Sequence, residues 1–347
     1  MQLPNKNFLS AKLQNLTNSH FQSGFTLLEM VLVLFLIGLL ASAGLLFTEG
    51  VEDQAKYDET KRRMELIRKA IVGDTTRTIN GAPEVSGFAA DMGRLPQCIK
   101  ELLVNETCEG VTIEPWSVVT DTGIGFGWRG PYIQVIADRD GKPRFRDGYG
   151  NVDADTLQDN KDFGWIFNIS AATSSVQLQS LGFDPVSSLD DFPQPISAVV
   201  PSLIVNDDWK IKDIKVRFNN ISEQNLPDDD SELLLRVFNS ELSDYVDGGF
   251  SNSEVPITLA ASDVFAEDTL TKTFVFDESS AIVQGIRTYA IVCYEVPSGD
   301  PDEYVIFDGD CVPPPGNSKP DSSTIRTFTV VPRNSLNLQL DWIIPTP

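Results

Sequence analysis

The residues able to do chemistry are few and unevenly placed. The one histidine, His20, lies ahead of a long apolar run in a segment argued below to be removed. Without it the chain has no Ser-His-Asp or Cys-His centre and no His-containing zinc site. Cys98, Cys108, Cys293 and Cys311 fall into two local pairs. Neither has the CxxC spacing of a structural zinc site or a redox dithiol. In an exported chain they read as two loop-closing disulfides, Cys98–Cys108 and Cys293–Cys311; in a reducing compartment the same residues are core thiols. Asp138-Arg139-Asp140-Gly141 opens like a calcium loop but lacks the third Asp or Asn and the distal Glu of an EF-hand, so it reads as a hairpin turn. Pro227-Asp228-Asp229-Asp230 and Asp300-Pro301-Asp302-Glu303 read as solvated acidic faces. No spacing brings two carboxylates together for glycosidase-type acid–base work, so no enzyme and no required cofactor are expected.

The elements around these residues must fold from 347 residues, enough for two or three domains at about 150 each. With 41% hydrophobic and 22% charged residues this is a folding chain. Lys and Arg number 27 against 50 Asp and Glu, a formal net charge of -23. Phosphate binding needs clustered positive charge, so no nucleic-acid partner is expected.

Phe25 to Phe47 is a 23-residue run whose one ionisable side chain is Glu29. About 20 apolar residues suffice to cross the roughly 30 Å of a bilayer core. Before it lies a polar, mildly basic segment with Lys6 and Lys12, ending in Ser23-Gly24. An ordinary secretory signal is cut after its apolar region at a small-residue site, and none stands there. The junction Gly24-Phe25-Thr26-Leu27-Leu28-Glu29 resembles the class III signal of type IV prepilins and pseudopilins. That resemblance implies cleavage after Gly24 by a prepilin peptidase and methylation of the new N-terminal Phe25. It also implies an assembly salt bridge from Glu29 to the Phe25 amino group of a neighbouring subunit. A carboxylate inside a membrane helix costs about 2.5–3.5 kcal/mol on insertion scales and awaits such a partner.

Beyond the apolar run, Tyr57, Met64, Ile67 and Ile71 share a helical face while Lys61, Arg62, Glu65 and Arg68 lie elsewhere. Gly73 and Asn80-Gly81 give stop signals. The pattern predicts a helix from Phe25 to about Arg77, roughly 80 Å long at ~1.5 Å per residue, with a second half that packs on a sheet. Five landmarks follow in order: Asp91-Met92-Gly93-Arg94-Leu95-Pro96, Gly127-Trp128-Arg129-Gly130-Pro131-Tyr132, Asp147-Gly148-Tyr149-Gly150-Asn151, Gly164-Trp165-Ile166-Phe167, and Ser180-Leu181-Gly182-Phe183-Asp184. They are similar to those of type II secretion major pseudopilins. Gly-Pro and Asp-Gly steps are turns, and Trp128, Tyr132, Trp165 and Phe167 are expected to pack sheet onto helix. In those relatives the last loop binds calcium. Carried over, the ligands are the Leu181 carbonyl, the Asp184 carboxylate and a carboxylate from Asp190 or Asp191. Pro185, Pro193 and Pro195 and a missing serine depart from the pattern, and a solvated acidic loop is the alternative.

Pro193, Pro195 and Pro201 mark a boundary, after which residues 197–347 carry 25 acidic and 10 basic residues. Strand-like runs recur from Lys212 to Phe218, Leu233 to Asn239, Lys272 to Phe276, Thr288 to Glu295, Tyr304 to Phe307, Ile325 to Val331 and Leu336 to Trp342. With Asp/Gly/Pro/Ser turns between them they predict an antiparallel, immunoglobulin-like β-sandwich. The expected class is α+β: a long N-terminal helix on a small antiparallel sheet, then an all-β sandwich-like domain. The expected divisions are a 1–24 leader, a 25–78 helix, a 79–196 head and a 197–347 β domain. The resemblance implies a structural subunit, minor rather than shaft-forming, of a type IV pilus or type II secretion pseudopilus. It would sit single-pass in the inner membrane with its head in the periplasm until assembled, then extend toward the cell surface. Its partners would be the prepilin peptidase, other pilin or pseudopilin subunits and an inner-membrane assembly platform. The alternative is a filament-displayed adhesin whose C-terminal domain binds a surface or secreted protein.

Overall fold

The computed structural model describes residues 26–74, 76–79, 82–108, 112–154, 159–184, 191–196, 199–227, 229–240, 244–248, 255–260, 263–264, 268–294, 305–311, 325–331 and 338–344. The chain falls into two compact units, Met1–Gln54 and Ala55–Pro347. It is α+β, an N-terminal helix followed by many mainly antiparallel strands. Helix α1 runs Leu27–Val72, five residues short of the predicted end. Gly73 stops it with φ +78, where an added Cβ would lie 2.4 Å from the Ser86 carbonyl oxygen, so only glycine fits that left-handed exit.

In the second unit, α1 from Ala55 onward is amphipathic as predicted. Met64, Ile67 and Ile71 are buried in a first apolar core with Phe88, Leu102, Trp165 and Leu178. Lys61, Arg62 and Glu65 stay exposed. A hairpin of β1 (Thr78–Ile79) and β2 (Ala82–Pro83) leads to the short helix α2 (Phe88–Met92) and a 3-10 turn, Ile99–Leu102. Strands β3 (Ser117–Val118) and β4 (Gly125–Phe126) pair, and the helix-backing sheet is antiparallel β5 (Trp165–Ser170), β6 (Ser175–Ser180) and β7 (Ser202–Ile204). Thus β7 comes from beyond Pro201, and Ile204, Trp209 and Val283 all contribute to this first core.

The remaining strands are β8 (Lys210–Ile211), β9 (Asp213–Asn220), β10 (Ser231–Phe238), β11 (Tyr245–Gly248), β12 (Ile257–Leu259), β13 (Thr269–Val275), β14 (Ile282–Val283), β15 (Gly285–Cys293), β16 (Arg326–Val330) and β17 (Gln339–Ile344). One sheet is ordered β11-β10-β15-β16, with β12 also on β10; a second is β13-β9-β17. Both send side chains into one core, including Phe218, Phe274 and Trp342 from the second sheet and Leu235, Val237 and Ile291 from the first. Along β9, Ile214, Val216 and Phe218 point inward with period two. The prediction of wholly antiparallel strands fails at one pairing: β17 runs parallel to β9, Gln339 opposite Lys215 through Ile344 opposite Asn220. The first and last long strands of the region therefore lie side by side, and the loop between them is the rest of the sandwich. Of the Tyr304–Phe307 run, the described residues 305–307 form a bridge, Ile306 to Val292, rather than a strand.

Candidate functional site

The N-terminal end of α1 is built by local rules. Thr26 and Glu29 have the spacing of a capping box, and the Glu29 N–H donates to Thr26 Oγ1 at 3.2 Å and to the Thr26 carbonyl at 3.0 Å. Glu29 also lies where a carboxylate favours the helix dipole. From there the helix shows apolar side chains on every side: Leu27 is 83% exposed, Leu28 77% and Leu40 70%, with Met30 through Ile37 exposed at successive positions. Such a surface has no water-facing stripe. Among the described residues no helix is long and apolar enough to cross a membrane. Gly24, Phe25 and the side chains of residues 44–50 lie outside the described residues.

In the second unit the landmark loops are tied to one another by buried polar groups. Asp147 is 2% exposed. Its carboxylate accepts the Tyr149, Gly150 and Asn151 backbone N–H groups at 3.1, 2.8 and 3.0 Å. It also takes the Asn151 side-chain amide at 2.7 Å and the Ser180 hydroxyl at 2.5 Å. Asn151 in turn donates to the Gly182 carbonyl at 3.0 Å, so the 147–151 and 180–184 loops share one network. Gly148 presses onto the helix: its N–H reaches Thr60 Oγ1 at 2.9 Å, and a Cβ there would lie 2.1 Å from the Lys56 carbonyl oxygen. The aromatic landmarks act partly through their polar tips. The Trp128 indole N–H donates to the Glu101 carbonyl and the Trp165 N–H to the Phe145 carbonyl, at 2.8 and 2.9 Å. Tyr132 donates its hydroxyl to Asp91 Oδ2 at 3.1 Å and accepts the Arg129 N–H. Burial pushes the Tyr132 hydroxyl up and also raises the Asp91 carboxyl, the latter against the pull of the Tyr132 hydrogen bond.

Asp91 was legible as a landmark; its neighbour Arg287 was not. Arg287 on β15 is fully buried and donates to the Gln284, Ile286 and Ala90 carbonyls at 2.8, 3.0 and 3.5 Å. Burial lowers its guanidinium to about 10, while Asp244 and Asp91 pull the other way. A second tie joins the Thr122 hydroxyl to the Ser240 carbonyl at 2.6 Å. These contacts pin the C-terminal strands to the α2 region and the β3–β4 hairpin.

Asp138-Arg139-Asp140-Gly141 is a turn, with the Gly141 N–H on the Asp138 carbonyl at 2.9 Å. Arg144 occupies its acidic side, reaching Asp138 at 2.9 Å, Asp140 at 2.7 Å and Asp159 at 3.4 Å. The Arg144 hydrogen bond holds the Asp140 carboxyl down at about 2. Of the calcium candidates, Asp184 is exposed, Leu181 half-buried, and Asp191 is 2% exposed and takes the Gln179 amide at 3.3 Å. Asp190 lies outside the described residues, as do Asp228 and the 300–303 turn. Among the described residues no group of three His, Cys, Asp or Glu side chains could hold a metal ion. Cys98 is joined to Cys108 and Cys293 to Cys311, with Cα separations of 6.3 and 5.7 Å.

No curated protein and no solved structure matches the chain. The model of the prokaryotic N-terminal methylation motif matches residues 19–45, the stretch holding Gly24, Phe25 and Glu29. That match supports a type IV pilin-like prepilin, a structural subunit cleaved by prepilin peptidase and assembled with other pilin subunits.

Proposed function

We propose that the chain is a minor subunit of a type IV pilus or type II secretion pseudopilus. It is cut between Gly24 and Phe25, methylated on Phe25, held single-pass in the inner membrane with its head in the periplasm, and assembled through its N-terminal helix. The carrying observation is the apolar surface exposed on all sides of α1 directly inside the methylation motif. At about 25 cal/mol per Å² such a surface is stable only in lipid or against neighbouring helices. The size of the head favours a minor subunit at the filament tip or side, because a bulky head is hard to repeat in a tight shaft. Glu29 then pairs with the Phe25 amino group of the adjacent subunit, a charge that only cleavage creates.

The experiment is mass spectrometry of sheared filaments and of the membranes left behind. A methylated peptide starting at Phe25, present in filaments at low stoichiometry, is the expected result. A processed protein confined to membranes favours a short pseudopilus, and an unprocessed Met1 end in both fractions overturns the reading. Glu29→Ala should insert normally yet fail to enter filaments; normal incorporation removes the assembly role of Glu29. The proposal extends to calcium held by the Leu181 carbonyl, the Asp184 carboxylate and a carboxylate from Asp190 or Asp191. A calcium-dependent rise in melting temperature that Asp184→Ala removes is expected, and no change with calcium ends this part.

A further inference from the structure

The sheet β13-β9-β17 ends in β17 on one side and β13 on the other. Each edge strand has a row of main-chain groups turned away from β9. On β17 the ladder fixes which residues these are. The Lys215 N–H donates to the Leu338 carbonyl at 3.1 Å and the Ile221 N–H to the Ile344 carbonyl at 3.5 Å. Even-numbered residues of β17 therefore face β9, and Asp341 and Ile343 face out. Both are exposed. An unprotected row of this kind is a template for a strand from another chain.

Here the outward carbonyls are taken. Arg326, on β16 of the other sheet, donates Nη1 to the Asp341 carbonyl at 2.7 Å and Nη2 to the Ile343 carbonyl at 3.2 Å. The Tyr289 hydroxyl adds a second bond to the Asp341 carbonyl at 3.0 Å. The guanidinium lies over the Trp342 ring, 4.3 Å from its centroid, and the Trp342 indole N–H is anchored on the Phe307 carbonyl. Residues 197–347 hold 25 acidic side chains, yet Arg326 makes no ion pair among the described residues. Its fork spans two carbonyls of one strand, the acceptors that the N–H groups of an added strand need.

The β13 edge is defended differently. The Asn220 N–H donates to the Asp268 carbonyl and the Phe276 N–H to the Lys212 carbonyl, so Thr271, Thr273 and Val275 turn their main-chain groups outward. Lys272 shares the core-facing side of the strand with Phe274, which is fully buried, and its Nζ lies 3.3 Å from Asp263 Oδ2. An added strand would cover that ammonium, and an inward-pointing charge on an edge strand opposes such pairing.

We propose that Arg326 and Lys272 guard the two edges of this sheet against strand addition by a second copy of the chain. A second copy suits the β17 edge: antiparallel pairing about Trp342 sets Asp341 of each strand opposite Ile343 of the other, so no like charges meet. The proposal is independent of how the N-terminal helix is processed or assembled. The test uses the full-length protein in detergent, followed by sedimentation velocity and amide hydrogen exchange. Arg326→Met keeps a stem over Trp342 and removes the donors. It is expected to add a concentration-dependent species of twice the wild-type protein mass, in which fast exchange at the Asp341 and Ile343 amides is lost. Adding Ile343→Pro, which removes an outward N–H and no ladder bond, should abolish that species. A folded Arg326→Met that sediments like the wild type overturns the proposal, as does association that Ile343→Pro leaves intact. Should Arg326→Met fail to fold, Lys272→Val decides: it should associate through β13 and be reversed by Thr273→Pro, and a folded Lys272→Val that sediments like the wild type then overturns the proposal.

Discussion

In the C-terminal sandwich, strand alternation does most of the work: Ile214, Val216, Phe218, Phe274 and Trp342 from one sheet meet Leu235, Val237 and Ile291 from the other. In the head, long stretches carry little regular structure, and loops are held where a buried Asp147, Trp128, Trp165 or Tyr132 reaches another segment's backbone or side chain. The sandwich is therefore tolerant of exposed changes and sensitive to lost volume. The head is sensitive to single polar atoms, because each one satisfies several backbone groups that burial would leave unpaired.

The contrast is open to direct attack, beginning where the effect is largest. Phe218→Ala, emptying a fully buried position between Phe274 and Phe307, should cost about 3–5 kcal/mol in denaturant unfolding. A cost under about 1 kcal/mol means that apolar volume does not hold the sandwich. Replacing both cysteines of either disulfide by serine should cost about 3 kcal/mol, slightly more for Cys293–Cys311 because its loop closes 18 residues against 10. Asp147→Ala should cost about 2–3 kcal/mol, and Asp147→Asn less because one acceptor oxygen remains. If Asp147→Ala melts like the wild type, the head is packed rather than tied.

The smallest effect is with pH. Hydrogen bonds from Arg62 and Arg63 hold Glu59 down at about 2, and Arg144 does the same for Asp140. Because both carboxyls are depressed on folding, they stabilise above the ordinary carboxylate range. That contribution fades as pH falls from about 4.5 toward 2. Asp91 runs the other way: its raised carboxyl binds a proton more readily in the folded chain, so its contribution declines as pH rises past its ordinary range. Melting temperatures measured from pH 6 to pH 2.5 should fall on acidification, and Asp91→Asn should steepen that fall.

Much of this was written locally in the sequence. The runs at Leu233–Asn239, Thr288–Glu295 and Ile325–Val331 are β10, β15 and β16 to within a few residues, because period-two alternation is a property of one segment. Which strand lies beside which is not, and so the parallel β9–β17 pair was missed: it joins residues over 120 positions apart. Thr26 could have been read as a helix cap from its three-residue spacing to Glu29. The Asp147–Ser180 bond and Arg287 could not, since a buried charge announces itself only once its surroundings are folded. Likewise Arg144 pairs with the acidic turn at Asp138, six residues away and invisible to a motif that counts carboxylates alone.

That β7 and Trp209 complete the first core carries a consequence for synthesis. Until residue 209 has been made, β6 has an open edge where Ser202–Ile204 should pair, and Val283 arrives later still. A chain interrupted in between would present an unpaired strand and a half-filled core, the surface on which nascent proteins stick to one another. The head thus matures only after most of the polypeptide has emerged, which ties readiness of the N-terminal portion to arrival of the C-terminal one.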